Sequence, residues 1–141
     1  KARYGVTPRQ YIDYKALGGD WAGVSVCSCD PVDGSATDTG LLGATGAIGP
    51  FDVAPHPDGR SVYAITADGW VWHFSVVSGT GELVSLAPPS LATGAEPARI
   101  VVHPRGLAAY VVNGYDSTVS CYSIDAASGA LSEVATVPTG I

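Results

Sequence analysis

Few side chains in this chain of 141 residues are of a type and at a place to do chemistry. Arg99 and Asp52 come first. A guanidinium holds a carboxylate-bearing ligand through paired N–H donors, and a neighbouring carboxylate can act as general base. With Tyr4 they make the expected polar site, because all three fall on stretches expected to be innermost strands. His73 is the other candidate for contact with a small ligand. It shares a column with Val26 and Cys121 at matching positions of three repeats. That placement fits a core histidine bonded to backbone, with a channel-lining contact as the alternative.

Other titratable groups read as turn chemistry. His56 and His103 occupy the same turn position in successive repeats, and a catalytic group is seldom duplicated in register. Asp30 and Asp125 each end a strand, where a carboxylate can accept bonds from turn N–H groups. Trp70, Trp72 and Phe74 resemble a sugar-stacking stripe, yet their place on a strand fits packing better. There is no Gly-x-Ser-x-Gly elbow, P-loop, His-Glu-x-x-His or Cys-x-x-Cys. A metal held by Cys27 and Cys29 would need more ligands than the neighbourhood offers. Neither metal nor cofactor is expected.

The elements that carry these residues repeat. Thr45-Gly46, Thr93-Gly94 and Thr139-Gly140 close three similar stretches, over residues 2–46, 49–94 and 96–140. Turn prolines Pro8, Pro57 and Pro104 stand 49 and 47 residues apart (57 − 8 and 104 − 57). A period of that length filled with strand patterns predicts propeller blades of four antiparallel strands. In the second repeat the strands are expected at 51–55, 61–67, 69–77 and 82–87. They are joined by His56-Pro57-Asp58-Gly59, Asp68-Gly69 and Ser78-Gly79-Thr80-Gly81, where proline presets φ and glycine accepts φ > 0. The third strand puts Trp72, Phe74 and Val76 on one face and Val71, His73 and Ser75 on the other. Apolar residues on both faces suit a sheet covered on both sides. The first repeat has a longer link, rich in Gly, Ser and Thr, between its last two strands.

Composition agrees with an all-β domain of this kind. Hydrophobic residues make up 46% and charged residues 14%, which argues against disorder, and 18 glycines and 10 prolines provide turns. The net charge of −6 makes nucleic acid an unlikely partner. No apolar run nears the roughly 20 residues of a membrane helix. A soluble chain is expected, with cytoplasmic and secreted locations both open. Three cysteines cannot all pair internally, and small buried hydrophobes is the reading for Cys27, Cys29 and Cys121. Three blades are fewer than a ring needs. Further blades are expected, from the same parent chain or from other subunits.

The strings FDVAPHPDGRSVYAI and ARIVVHPRGLAAYVVNGYDSTVSCYSIDAASGAL, with the closing VPTG, resemble the lactonase-type seven-bladed propellers. These include 6-phosphogluconolactonases and 3-carboxy-cis,cis-muconate lactonising enzymes. The resemblance is strong over 49–141 and weaker over 2–46. It implies a seven-bladed ring and action on sugar-acid or muconate lactones. It also implies a histidine six residues before one turn proline, an arginine six before the next, and a glutamate ten after that proline. Here those positions hold Phe51, Ala98 and Gly114. Arg99 is one residue from the arginine position, and one residue along a strand turns a side chain to the other face. Two expectations follow: part of a lactonase-like enzyme, or a propeller module for binding or assembly without the catalytic residues.

Overall fold

The computed structural model of the chain describes residues 10–17 and 21–140, and among these eleven strands form three antiparallel sheets. The first sheet holds β1 (Gln10–Leu17), β2 (Trp21–Cys29) and β3 (Ala36–Ala44). The second holds β4 (Pro50–Pro55), β5 (Ser61–Thr66), β6 (Trp70–Val76) and β7 (Leu83–Ala92). The third holds β8 (Pro97–Val102), β9 (Ala108–Asn113), β10 (Thr118–Ile124) and β11 (Leu131–Pro138). Strands pair in chain order in every sheet. These are propeller blades, part of a larger propeller. The stretch with Tyr4, the turn at Pro8 and the Gly18-Gly19-Asp20 turn lie outside the described residues.

The same local devices build successive blades. Gly59 and Gly106 take φ of 76° and 70° in the first turn. Each donates its N–H to the turn histidine's carbonyl, His56 at 2.9 Å and His103 at 2.7 Å. The histidine rings cap these turns, with Nδ1 accepting from Asp58 N–H (3.2 Å) and Arg105 N–H (3.1 Å). Asp30 Oδ1 accepts from the Val32 and Asp33 N–H groups, and Asp125 Oδ1 from those of Ala127 and Ser128. The closing threonine ties the outer strand back to its own blade. Thr45, Thr93 and Thr139 donate backbone N–H groups to Ala22, Gly69 and Ser117 at 2.7, 2.9 and 2.9 Å.

Alternation along β5 explains why the middle blade is buried on both faces. Val62 and Ala64, with Phe74 and Leu83, pack on Val24 and Val26 of the first blade. Tyr63 and Ile65, with Val71, pack on Ile100, Ala109, Val111, Tyr122, Ile124 and Leu131 of the third. All six residues of β5 are buried. The third blade's opposite face carries Tyr110 and Val112, in register with Cys121 and Val119. Tyr110 matches Tyr63 in the repeat, yet Tyr63 is wholly buried and Tyr110 is 36% exposed.

Two strands depart from the sequence-based placement. The last strand of the second blade runs to Ala92 rather than ending at residue 87. Its register against β6 jumps between Trp72↔Ser90 and Phe74↔Ser85. The prolines at 88 and 89 sit inside that jump, and the strand is outermost, where a missing N–H is tolerated. In the first blade the extra residues are not a long link. Strand β3 begins at Ala36, and the surplus is absorbed where Val26↔Leu41 gives way to Cys27↔Asp38. Gly40 (φ 77°) and the Thr39 hydroxyl, donating to Val26 O at 2.6 Å, shape that bulge.

Candidate functional site

Inner strands β4 and β8 bring Asp52 and Arg99 together. Both follow register jumps, at Pro50/Asp52 and Pro97/Arg99. Asp52 Oδ2 accepts the Ile100 N–H from the next blade at 3.0 Å and lies 3.6 Å from Arg99 Nε. The carboxylate is thus pinned by backbone across the seam. The Arg99 side chain is 71% exposed. An ion pair that open to water contributes about 0–1 kcal/mol, so it leaves the guanidinium available to a ligand. Tyr4, expected beside this pair, lies outside the described residues.

Next to the pair is a cavity of about 360 Å³ lined by Phe51, Ala67, Glu96, Pro97, Ala98 and Gly114. Three separate stretches of chain therefore bring Phe51, Ala98 and Gly114 to one place. A Cβ built on Gly114 would lie 3.9 Å from Ala98 Cβ. The three supply a benzyl group, a methyl group and no side chain, and so no acid, base or cation. Glu96, which the sequence reading did not single out, carries the sole charge in the lining. Its backbone is left-handed (φ 51°), and its carbonyl accepts Gly114 N–H at 2.9 Å.

His73 is not part of this cluster. It is fully buried between the second and third blades. Nε2 donates to Pro88 O, and Nδ1 accepts Leu131 N–H at 3.0 Å. Burial lowers its pKa below the ordinary histidine value, against the opposing pull of the Pro88 carbonyl. The imidazole is therefore neutral, and protonating Nδ1 would break the bond from Leu131. The unfolded chain takes up this proton more readily than the folded one. The stabilisation is complete above the ordinary histidine pKa of about 6.5 and is lost as pH falls through the lowered folded value. Thermal melts between pH 8 and pH 5 should show the wild type losing stability on acidification and His73→Gln losing less. Equal losses would contradict this account.

A second cleft, of about 400 Å³, opens at the opposite edge of the same seam, among His56, Asp58, Arg60, Asp125 and Ser128. Its charges are already engaged. Burial alone would raise the Asp58 pKa, but the Arg60 N–H and guanidinium hold it below the ordinary value. The Ser128 N–H and hydroxyl, with Ala127 N–H, lower that of Asp125. His56 Nε2 faces Gly106 O at 3.0 Å. Of the aromatic stripe, Phe74 is buried, Trp72 donates Nε1–H to Thr66 Oγ1 at 3.2 Å, and Trp70 is 40% exposed. Among the described residues no cluster of three or more His, Cys, Asp or Glu could hold a metal. No helix there is long and apolar enough to cross a membrane.

The sequence pattern of a family described as "Lactonase, 7-bladed beta-propeller" matches residues 53–140. No curated protein matches the chain. Among solved structures, a candidate 6-phosphogluconolactonase from Bacteroides uniformis is 23% identical with a TM-score of 0.71, over 87% of this chain and 36% of its own. A protein of unknown function from Desulfotomaculum acetoxidans is 23% identical with a TM-score of 0.71, over 94% and 42%. The periplasmic gluconolactonase of Pseudomonas aeruginosa is 18% identical with a TM-score of 0.66, over 92% and 39%. At such identities the likeness is one of fold. The chain spans about two fifths of each of these structures.

Proposed function

The chain belongs to the lactonase family of seven-bladed β-propellers, and from that premise we propose that its blades wall a small-molecule site without supplying the catalytic groups. The observation that carries this reading is the cavity beside Asp52 and Arg99. Three of its positions, Phe51, Ala98 and Gly114, lack any group able to move a proton or bind a carboxylate. Further blades complete the ring, and any lactone chemistry belongs to them.

A second reading rests on the Asp52–Arg99 pair. Arg99 would hold the carboxylate of a sugar-acid or muconate lactone, and Asp52 would accept a proton during opening or formation of the ring. Its weakness is that Asp52 already spends one oxygen on Ile100 N–H. Assays of the chain with 6-phosphogluconolactone and with carboxymuconolactone separate the two. The expected result is consumption at the uncatalysed rate. Turnover that disappears in Arg99→Ala would overturn the non-catalytic reading.

A further inference from the structure

We propose that the cavity lined by Phe51 and Glu96 binds a small organic cation with an apolar body, of the aryl- or alkylammonium class. The proposal rests on the reading that these blades bind rather than catalyse, and it names the chemistry of what they bind. Four of the six lining residues, Phe51, Ala67, Pro97 and Ala98, offer carbon surface. Phe51 is 58% exposed on an innermost strand, where its ring is open to a ligand. An aromatic face attracts a cation through its quadrupole, most strongly when water is displaced.

Glu96 decides the sign of the ligand. It carries the cavity's one charge, and no described residue forms an ion pair with it. The neighbouring cation, Arg99, is not among the residues that line the cavity. Glu96 is also held in a left-handed conformation that is costly for a residue with a Cβ, fixed by its carbonyl bond to Gly114. Backbone strain of this kind collects at binding and active sites. Gly114 keeps the cavity open. A Cβ there would meet Glu96 O and Ala98 Cβ only at ordinary contact distance, so a larger side chain would enter the void without disturbing the backbone. A carboxylate ligand would instead meet Glu96 as a like charge.

Isothermal titration calorimetry on the full chain tests this with benzyltrimethylammonium and, as its anionic counterpart, benzoate. Benzyltrimethylammonium should bind and benzoate should not. Phe51→Ala and Glu96→Gln should each weaken binding about tenfold, and Gly114→Leu should abolish it by filling the site. Melting temperatures of all three variants should stay near the wild-type value, because the altered side chains are exposed. Benzoate binding as tightly as the cation, undiminished binding in Glu96→Gln, or no heat from folded protein at millimolar cation would each overturn the proposal. Failure of the underlying non-catalytic reading would register separately, as Arg99-dependent lactone turnover.

Discussion

Tyr63→Ala should destabilise the chain by about 4 kcal/mol, seen as a lower urea midpoint. Tyr63 is wholly buried between the second and third blades. Its hydroxyl donates to Gly129 O at 2.7 Å, joining residues 66 apart in sequence. Burial, with a smaller contribution from the Asp58 charge, raises the phenol pKa to about 12, so it stays a donor at any physiological pH. Alanine would leave a cavity in the seam and a carbonyl without its partner. Tyr63→Phe keeps the ring and loses the bond alone, so it should cost about 1–2 kcal/mol. Tyr110→Ala is the control. It removes the matching tyrosine of the next repeat, which is partly exposed, and should cost less than about 1 kcal/mol. Equal losses at the two tyrosines would show that the seam is not what makes Tyr63 important.

Gly129→Ala should cost about 3 kcal/mol through the same seam from the other side. Gly129 has φ 78°, and a Cβ there would collide with the Ser61 side chain and approach the Tyr63 hydroxyl at 3.4 Å. Gly34→Ala separates conformation from packing. Gly34 has nearly the same φ, 76°, but nothing lies within 4 Å of a Cβ built on it. It should show the conformational cost alone, about 1–2 kcal/mol. Ser61→Gly should recover part of the loss in Gly129→Ala, because it removes the atoms struck first. Gly34→Ala and Gly129→Ala with identical denaturation midpoints would refute the packing argument.

Much of this fold could be read from the chain because its signals are local. Prolines before turn glycines, Asp68-Gly69 and the two-faced alternation around His73 each depend on residues within one hairpin. The paired inner positions of Asp52 and Arg99 were legible for a related reason, since the repeat places them on equivalent strands. What escaped depends on how one sheet is rotated against the next. Neither Tyr63 nor Gly129 carries a mark of the other in its own stretch. The partners of His73, Pro88 and Leu131, come from a register jump and from a different blade. The left-handed turn at Glu96 was hidden because glutamate gives no warning of it. Gly94, two residues earlier, looks like the natural site for such a turn.

Strand pairing in chain order also has a consequence in time. Each ladder joins strands separated by one short turn, so its loop closes at little entropic cost. The bonds from Thr45, Thr93 and Thr139 then finish a blade with residues drawn from that blade alone. Only the seams need distant residues to meet, as Tyr63 and Gly129 do. Local closure is fast and distant closure slow. A chain emerging from the ribosome can therefore complete one blade before the next has been made, with the seams locking afterwards in the order of synthesis.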